Sequence, residues 1–183
     1  MNHLGAKSTE FPTSLFKSEK RSIFAQILLR IFAIGFTLTA ACIIHNSKQT
    51  LIIFTVETDA RYTYSPALKF FAYANMIGCA FSILSLFLVS IFGRKSLHPH
   101  KYFYLFFHDM IMMALLISGF SAATTIGYLG KYGEIHSGWM PICDSFAKFC
   151  HKIIASLIFS AFGVIFYLFL AILSANQSRK IQV

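Results

Sequence analysis

The stretch IFAQILLRIFAIGFTLTAACII, residues 23–44, decides the fold, because it is long and apolar enough to cross a membrane. Its only charge is Arg30. A lone charge at the bilayer centre costs about 3 kcal/mol on insertion scales, so such a side chain usually faces protein and finds a partner. The stretch therefore predicts a membrane helix that packs against other helices through Arg30.

The segment from Tyr102 to Leu129 has the same character, with Asp109 as its only acid or fixed base. Arg30 lies about 13 Å along a helix from the basic residue that precedes its span, and Asp109 lies about 12 Å from Lys101. If both flanks lie on one side of the membrane, the two charges share one depth. We therefore predict a buried ion pair between Arg30 and Asp109.

Two further segments complete the membrane domain. The four predicted spans each contain about 20 or more mostly apolar residues, and they cover residues 23–44, 70–92, 103–129 and 153–175. The chain is 56% hydrophobic and 13% charged, against about 25% charged for an average soluble domain. The fold class predicted is all-α, a four-transmembrane-helix bundle.

The sidedness follows from the basic residues that flank the spans. The N-terminal segment, the middle loop and the C-terminal tail carry nine Lys and Arg residues, whereas the other two loops carry six. Both termini are therefore predicted to be cytoplasmic. We expect residues 1–21 to form a disordered cytoplasmic tail, 22–175 the four-span domain and 176–183 a cytoplasmic tail.

Small residues follow the helix-facing sides of the spans. Such residues let helix backbones approach closely in lipid, and the charged or amide side chains share their faces on a helical wheel. A packed bundle whose polar groups satisfy one another explains this pattern most simply. The predicted helix-packing residues are Gly78, Gly119, Ala123, Gly127 and Gly163.

Cys143 and Cys150 both fall in the second outer loop, where an oxidising compartment permits a disulfide. A continuous helix would separate their Cα atoms by about 10.5 Å, while a disulfide needs about 7 Å or less. The predicted bond therefore requires a bend between them. A zinc site that adds His136 and His151 to the two cysteines lacks any established ligand spacing.

Other functions receive less support from the sequence. A lone intramembrane carboxylate is a candidate functional site, so Asp109, with its neighbour His108, could belong to a proton or ion path. Transporters usually need broken helices or repeat symmetry, and neither is evident. Motifs for catalysis are missing, so we expect no enzyme and no cofactor. The net charge of +9 comes from the span flanks; it indicates contact with anionic lipid, not nucleic acid.

The loop from Trp139 to Cys150, WMPICDSFAKFC, follows Tyr128–Gly133 and resembles the second outer loop of the plant Casparian strip membrane domain protein-like (CASP-like) family. The stretch Ser65–Asn75 resembles that family's entry into its second span. Arg30 and Asp109 match the family's charged positions in the first and third spans. The resemblance covers roughly residues 22–175.

The resemblance implies a four-span plasma-membrane protein, distantly similar to MARVEL-domain proteins. Such proteins self-associate, also with related four-span members, and form membrane domains that recruit other proteins. The first outer loop lacks the Phe-Phe-Thr-Gln-Phe-like signature of the Casparian strip proteins themselves, so the chain is more similar to CASP-like members of the first subgroup. Claudin-like junction proteins fit less well, because their Trp and Cys signature belongs in the first outer loop.

Overall fold

Four long helices dominate the computed structural model, which describes residues 11–53, 56–92 and 99–182. They are α1 (Phe11–His45), α2 (Pro66–Phe92), α3 (Pro99–Tyr132) and α4 (Ala147–Gln182). Each contains a window of 25 to 31 residues that is long and apolar enough to cross a membrane. The predicted four-helix membrane fold is confirmed.

The helices extend beyond the predicted spans. Helix α1 already begins at Phe11, so residues 11–21 are helical where we predicted disorder; residues 1–10 lie outside the described part. Pro12 is tolerated because it lies in the first turn, and neither Gly nor Pro follows before Gly35. Extending a helix that the membrane span has nucleated costs little. Helix α4 likewise continues through the predicted tail to Gln182.

The helices form a ring in which α1 packs against α2 and α4, and α3 packs against the same two neighbours. Helices α1 and α3 therefore lie across the bundle from each other. We call the end that bears the two outer loops the loop end, and the opposite end the terminal end. An apolar layer at the loop end joins all four helices through Ile44, Phe71, Ala123 and Ile153, with further residues of α2.

The loop between α1 and α2 forms a β-hairpin, which the all-α prediction omitted. Strand β1 (Lys48–Ile53) pairs antiparallel with β2 (Val56–Arg61). An isolated two-stranded hairpin is marginally stable in water, and this one is fastened to α4. The Gln49 side chain accepts a hydrogen bond from the Phe149 backbone N–H at 2.9 Å. Lys152 Nζ donates to the Asn46 carbonyl at 2.9 Å.

Candidate functional site: a buried ion pair beneath a disulfide-closed loop

The structure brings Arg30 and Asp109 together at the centre of the bundle. Arg30 Nη1 donates to Asp109 Oδ1 at 3.0 Å, and Nη2 donates to Oδ2 at 2.8 Å. Both side chains are 0% exposed. A paired, bidentate geometry is what allows an arginine and a carboxylate to be buried together, because each charge satisfies the other.

The helix register explains why these two residues meet. The apolar layer at the loop end contains Ile44 of α1 and Ala123 of α3. Moving fourteen residues along each helix toward the terminal end leads from Ile44 to Arg30 and from Ala123 to Asp109. The same step of fourteen residues leads from Phe71 to Ser85 on α2 and from Ile153 to Tyr167 on α4. Since the rise per residue is constant, these four positions form one central layer.

Hydrogen bonds around this layer link it to α2 and α4. Ser174 Oγ donates to Asp109 Oδ2 at 3.5 Å. The buried Tyr167 hydroxyl donates to the Gly78 carbonyl at 2.7 Å and also contacts the hydroxyl of Ser82. A buried tyrosine usually needs such a partner for its hydroxyl. Two polar groups therefore lie at or beside this layer: the ion pair with Ser174 joins α1, α3 and α4, and the Tyr167 hydroxyl joins α4 to α2.

A second polar contact lies between the central layer and the loop end. Ser160 Oγ donates to Asn75 Oδ1 at 3.0 Å, and Asn75 Nδ2 donates to the Phe71 carbonyl at 2.9 Å. Ser156 Oγ donates to the Ala40 carbonyl at 2.8 Å. These bonds satisfy buried polar groups that would otherwise destabilise the bundle in lipid.

His108 lies beside the ion pair without joining its core. Its Nδ1 is 3.4 Å from Asp109 Oδ1, and its side chain is partly exposed. Its ring also packs against that of Phe81, with centroids 5.8 Å apart. The strong, short contacts of Asp109 are those to Arg30.

The predicted helix-packing residues lie between helices of this one chain. A Cβ on Gly119 would be 3.0 Å from Ala74 Cβ, and one on Gly163 would be 3.0 Å from Thr37 Cγ2. Gly78 lies against Leu116, and Gly127 lies against Ile153 and Leu157. Ala123 is fully buried in the apolar layer.

This placement assigns the small-residue faces to packing within one chain. These glycines are occupied by packing within the monomer. Gly35 differs from them, because it is exposed and a Cβ there would meet nothing within 4 Å.

Cys143 and Cys150 form a disulfide in the second outer loop. Their Cα atoms are 5.7 Å apart, within the range that a disulfide allows. The required bend is present because α4 begins only at Ala147. Because the two sulfurs bond each other, they do not form a thiolate zinc site with His136 and His151.

The outer loop is shaped further by backbone contacts. Glu134 and Trp139 exchange two backbone hydrogen bonds of 2.8 and 3.0 Å. Gly133 has φ of 68°, and a Cβ there would be only 2.6 Å from the Trp139 carbonyl oxygen, so glycine is required. The Ile142 and Cys143 N–H groups both donate to the Gly130 carbonyl. The loop is thereby folded onto the end of α3.

A polar cluster joins the end of strand β2 to the turn that follows it. The Tyr64 hydroxyl donates to both Asp59 oxygens at 2.9 and 3.0 Å, and Arg61 Nε donates to Oδ2. These hydrogen bonds, chiefly the one from Tyr64, lower the pKa of Asp59 below its usual value. The same contact raises the pKa of Tyr64. The cluster connects the base of the hairpin to the 3₁₀ turn that precedes α2.

Sequence reasoning missed Gln26, Ser174 and Tyr167 as members of the central region. Gln26 lies one turn from Arg30 on the same helical face, and this spacing could have identified it. Tyr167 interrupts an otherwise apolar span, which was also a usable signal, because a buried hydroxyl needs a partner. Ser174 gave no comparable signal, since serine is common in membrane helices.

Comparison with known proteins agrees with these features. A family profile described as the Casparian strip membrane protein domain matches residues 19–166. The chain is 48% identical to "CASP-like protein 1F1" of Vitis vinifera over 91% of this chain and 81% of that protein. It is 48% identical to "CASP-like protein 1F1" of Ricinus communis over 93% and 95% of the two chains.

A further relative, "CASP-like protein 1F2" of Populus trichocarpa, is 46% identical over 91% of this chain and 92% of that protein. No solved structure matches the chain. The profile match covers the ion pair and the disulfide-closed loop, and the relatives are similar over most of their length. The chain therefore belongs to the Casparian strip membrane protein domain family and is a multi-pass membrane protein related to the CASP-like proteins.

Proposed function

We propose that this chain is a non-enzymatic plasma-membrane protein that self-associates and acts as a membrane-domain scaffold that recruits partners. The family and the relatives' names support a role in the membrane, and the surface at the loop end supports association. The proposed partners are further copies of the chain, related four-span proteins and membrane lipid.

The observation that carries the proposal is a set of exposed apolar side chains in the two outer loops at the loop end, which we call the apolar cap. Its members are Ile52, Ile135, Trp139, Met140 and Ile142. Ile135 is 94% exposed and Met140 is 84% exposed. Trp139 and Ile142 lie with them between the membrane windows that end at Tyr132 and begin at Ala147. Exposed apolar side chains concentrated in loops outside the membrane windows favour an interaction surface.

Covalent and hydrogen-bond contacts constrain the segments that carry the cap. The disulfide ties Cys143, which follows Ile142 directly, to Cys150 of α4. The hairpin that carries Ile52 is bonded to α4 through Gln49, and Lys152 of α4 bonds the Asn46 carbonyl just before the hairpin. A preorganised surface loses little conformational entropy on binding, which favours association. The glycine faces are buried within the monomer, so the cap is the surface that we expect a scaffold to use.

The same structure gives little support to the alternative in which Asp109 titrates in a transport cycle. Both carboxylate oxygens accept hydrogen bonds from Arg30, and Ser174 contacts one of them. Release of the carboxylate would leave a buried arginine uncompensated, which is costly. These contacts are those of a structural pair that holds α1 to α3.

The test is co-purification of two differently tagged copies from a plant plasma membrane, combined with lateral mobility by fluorescence recovery. We expect the two copies to co-purify and to diffuse slowly. We expect the double variant Ile135→Ser, Met140→Ser to co-purify less and to diffuse faster. Met76→Ser is the matched control, because Met76 is exposed within a span. Free diffusion as a monomer, together with proton flux in vesicles, would favour transport instead.

A further inference from the structure

Four buried polar atoms in the central region lack a hydrogen-bond partner among the described residues. They are both amide atoms of Gln26, Nε of Arg30 and Oγ of Ser85. Gln26 is 1% exposed, Arg30 0% and Ser85 2%. Buried polar groups are nearly always paired with protein or with ordered water, because an unmade hydrogen bond costs stability.

These atoms lie in one region of the bundle. Gln26 is one turn from Arg30 along the same face of α1, on the terminal side of the ion pair. Ser85 belongs to the central layer by register, on the neighbouring helix α2. Gln26 and Ser85 therefore lie on the neighbouring helices α1 and α2, at and just beyond the level of the Arg30–Asp109 pair, and Ser174 of α4 lies against the carboxylate.

The hydroxyl of Ser85 differs from several other span hydroxyls, which bond their own helix. Thr37, Ser118, Thr124 and Thr125 each donate to a carbonyl three or four residues earlier in their own helix. Such bonds satisfy a hydroxyl locally. Ser85 Oγ makes no such bond although it is buried, so its hydrogen-bonding capacity is open to another partner in the interior.

We propose that Gln26, Arg30 and Ser85 form a site for ordered internal water beside the ion pair. The unpartnered hydrogen-bond donors are Arg30 Nε–H and the Gln26 amide N–H groups. The unpartnered acceptors are Gln26 Oε1 and Ser85 Oγ. A ligand that fits this site must both donate and accept hydrogen bonds. Arg30 and Asp109 neutralise each other, so the site carries no net charge to attract an ion. Water meets these requirements, with the two to four polar partners that a buried water needs.

The site is enclosed, so it does not provide a path across the membrane. Toward the terminal end, Ser22 Oγ donates to Gln177 Oε1 at 2.7 Å, which links α1 to α4 one turn beyond Gln26. Toward the loop end lie Tyr167 with its hydroxyl contacts and then the apolar layer around Phe71. This inference does not depend on self-association of the protein.

The sign of a stability change tests the proposal. Gln26→Met removes both amide atoms at nearly constant length. If water bridges the amide, the variant loses hydrogen bonds, and the unfolding midpoint of the reconstituted full-length protein falls by about 2–4 °C. If the amide is buried dry and unpaired, its removal is favourable and the midpoint rises. A rise would overturn the proposal.

Ser85→Ala provides the second measurement, with Ser118→Ala as its control, because the Ser118 hydroxyl is exposed and satisfied by its own helix. We expect the midpoint to fall for Ser85→Ala and to stay nearly constant for Ser118→Ala. If one water cluster serves both residues, the Gln26→Met, Ser85→Ala double variant falls by less than the two separate changes added together. Full additivity would assign the losses to separate local contacts and overturn the proposal.

Discussion

Arg30 and Asp109 form a bidentate ion pair across the bundle, with Nη1 donating to Oδ1 at 3.0 Å and Nη2 to Oδ2 at 2.8 Å. They come from helices α1 and α3, which face each other across the ring, while α2 and α4 pack on either side. The pair therefore stabilises the closed arrangement of four helices from its centre. Removing either charge leaves the other buried without compensation.

The first prediction is that Asp109→Asn destabilises the protein by about 3–5 kcal/mol, the usual cost of breaking a buried pair from one side. The measurement is thermal unfolding in a native-like bilayer, together with the yield of monodisperse protein. Asp59→Asn is the control, because Asp59 is partly exposed outside the spans, and we expect this variant to cost far less.

Exchange of the two charges, Arg30→Asp with Asp109→Arg, tests the pairing itself. We expect partial recovery of stability, because the attraction between the charges remains while the local packing changes. Normal folding and assembly of Asp109→Asn would contradict a structural role for the pair.

The second prediction compares two glycines that differ only in their surroundings. Gly119→Ala would place a Cβ 3.0 Å from Ala74 Cβ and 3.3 Å from the Phe71 backbone, so α2 and α3 must separate. Overpacking of this kind typically costs about 1–3 kcal/mol. Gly35→Ala places its Cβ in open space and should be neutral or slightly stabilising, since alanine has the higher helix propensity.

Thermal unfolding of the two alanine variants, with gel filtration to follow assembly, checks this difference. Because Gly119 packs within the monomer, we expect loss of folding stability rather than a selective loss of association. A Gly119→Ala protein of normal stability that remains monomeric would instead indicate that this face binds another copy.

The third prediction concerns the loop disulfide. Closing a loop of this size stabilises a protein by about 2–3 kcal/mol in the chain-entropy estimate, so Cys143→Ser should lower the unfolding midpoint. Mass spectrometry of the non-reduced protein should recover a peptide that joins Cys143 to Cys150. Cys42→Ser is the control, because Cys42 is a free thiol. Recovery of both loop cysteines as alkylated free thiols would refute the bond in the native protein.

The features that could be predicted from sequence are those with a large and local energetic signature. A charge inside an apolar span is costly, so Arg30 and Asp109 indicated both their burial and their partner. The four spans followed from length and hydropathy alone. The glycine positions indicated close packing, but not whether the neighbour belonged to the same chain or to another, because a spacing pattern carries no information about the partner.

The hairpin could not be predicted in the same way. No Asn-Gly or Asp-Gly turn signal separates its strands. The hydrogen bond between Gln49 and the Phe149 N–H, which holds the hairpin to α4, joins residues 100 positions apart. Ser174 was missed because its importance depends on which helices become neighbours. Such tertiary contacts override local propensity in a way that a single sequence does not reveal.

The last prediction is a pH window for the Asp59–Tyr64 contact. The pKa of Asp59 is lowered in the folded protein, chiefly by the Tyr64 hydrogen bond, so the contact contributes stability above about pH 4 and loses it as the pH falls through the folded pKa. The pKa of Tyr64 is raised by the same bond. The contribution of the Tyr64 hydroxyl to stability is therefore present below about pH 10, and it is lost as the pH rises through the pKa of Tyr64 in the folded protein.

Tyr64→Phe tests this coupling, because it removes the hydroxyl and keeps the ring. We expect the pKa of Asp59 to rise toward its usual value, measured by carboxyl carbon NMR titration of the full-length protein in nanodiscs. Tyr62→Phe is the matched control, since the Tyr62 hydroxyl bonds His45 at 2.8 Å and not Asp59. Arg61 still holds the carboxylate in Tyr64→Phe, so part of the lowering should persist. An unchanged Asp59 titration in Tyr64→Phe would show that the tyrosine does not hold this carboxylate in solution.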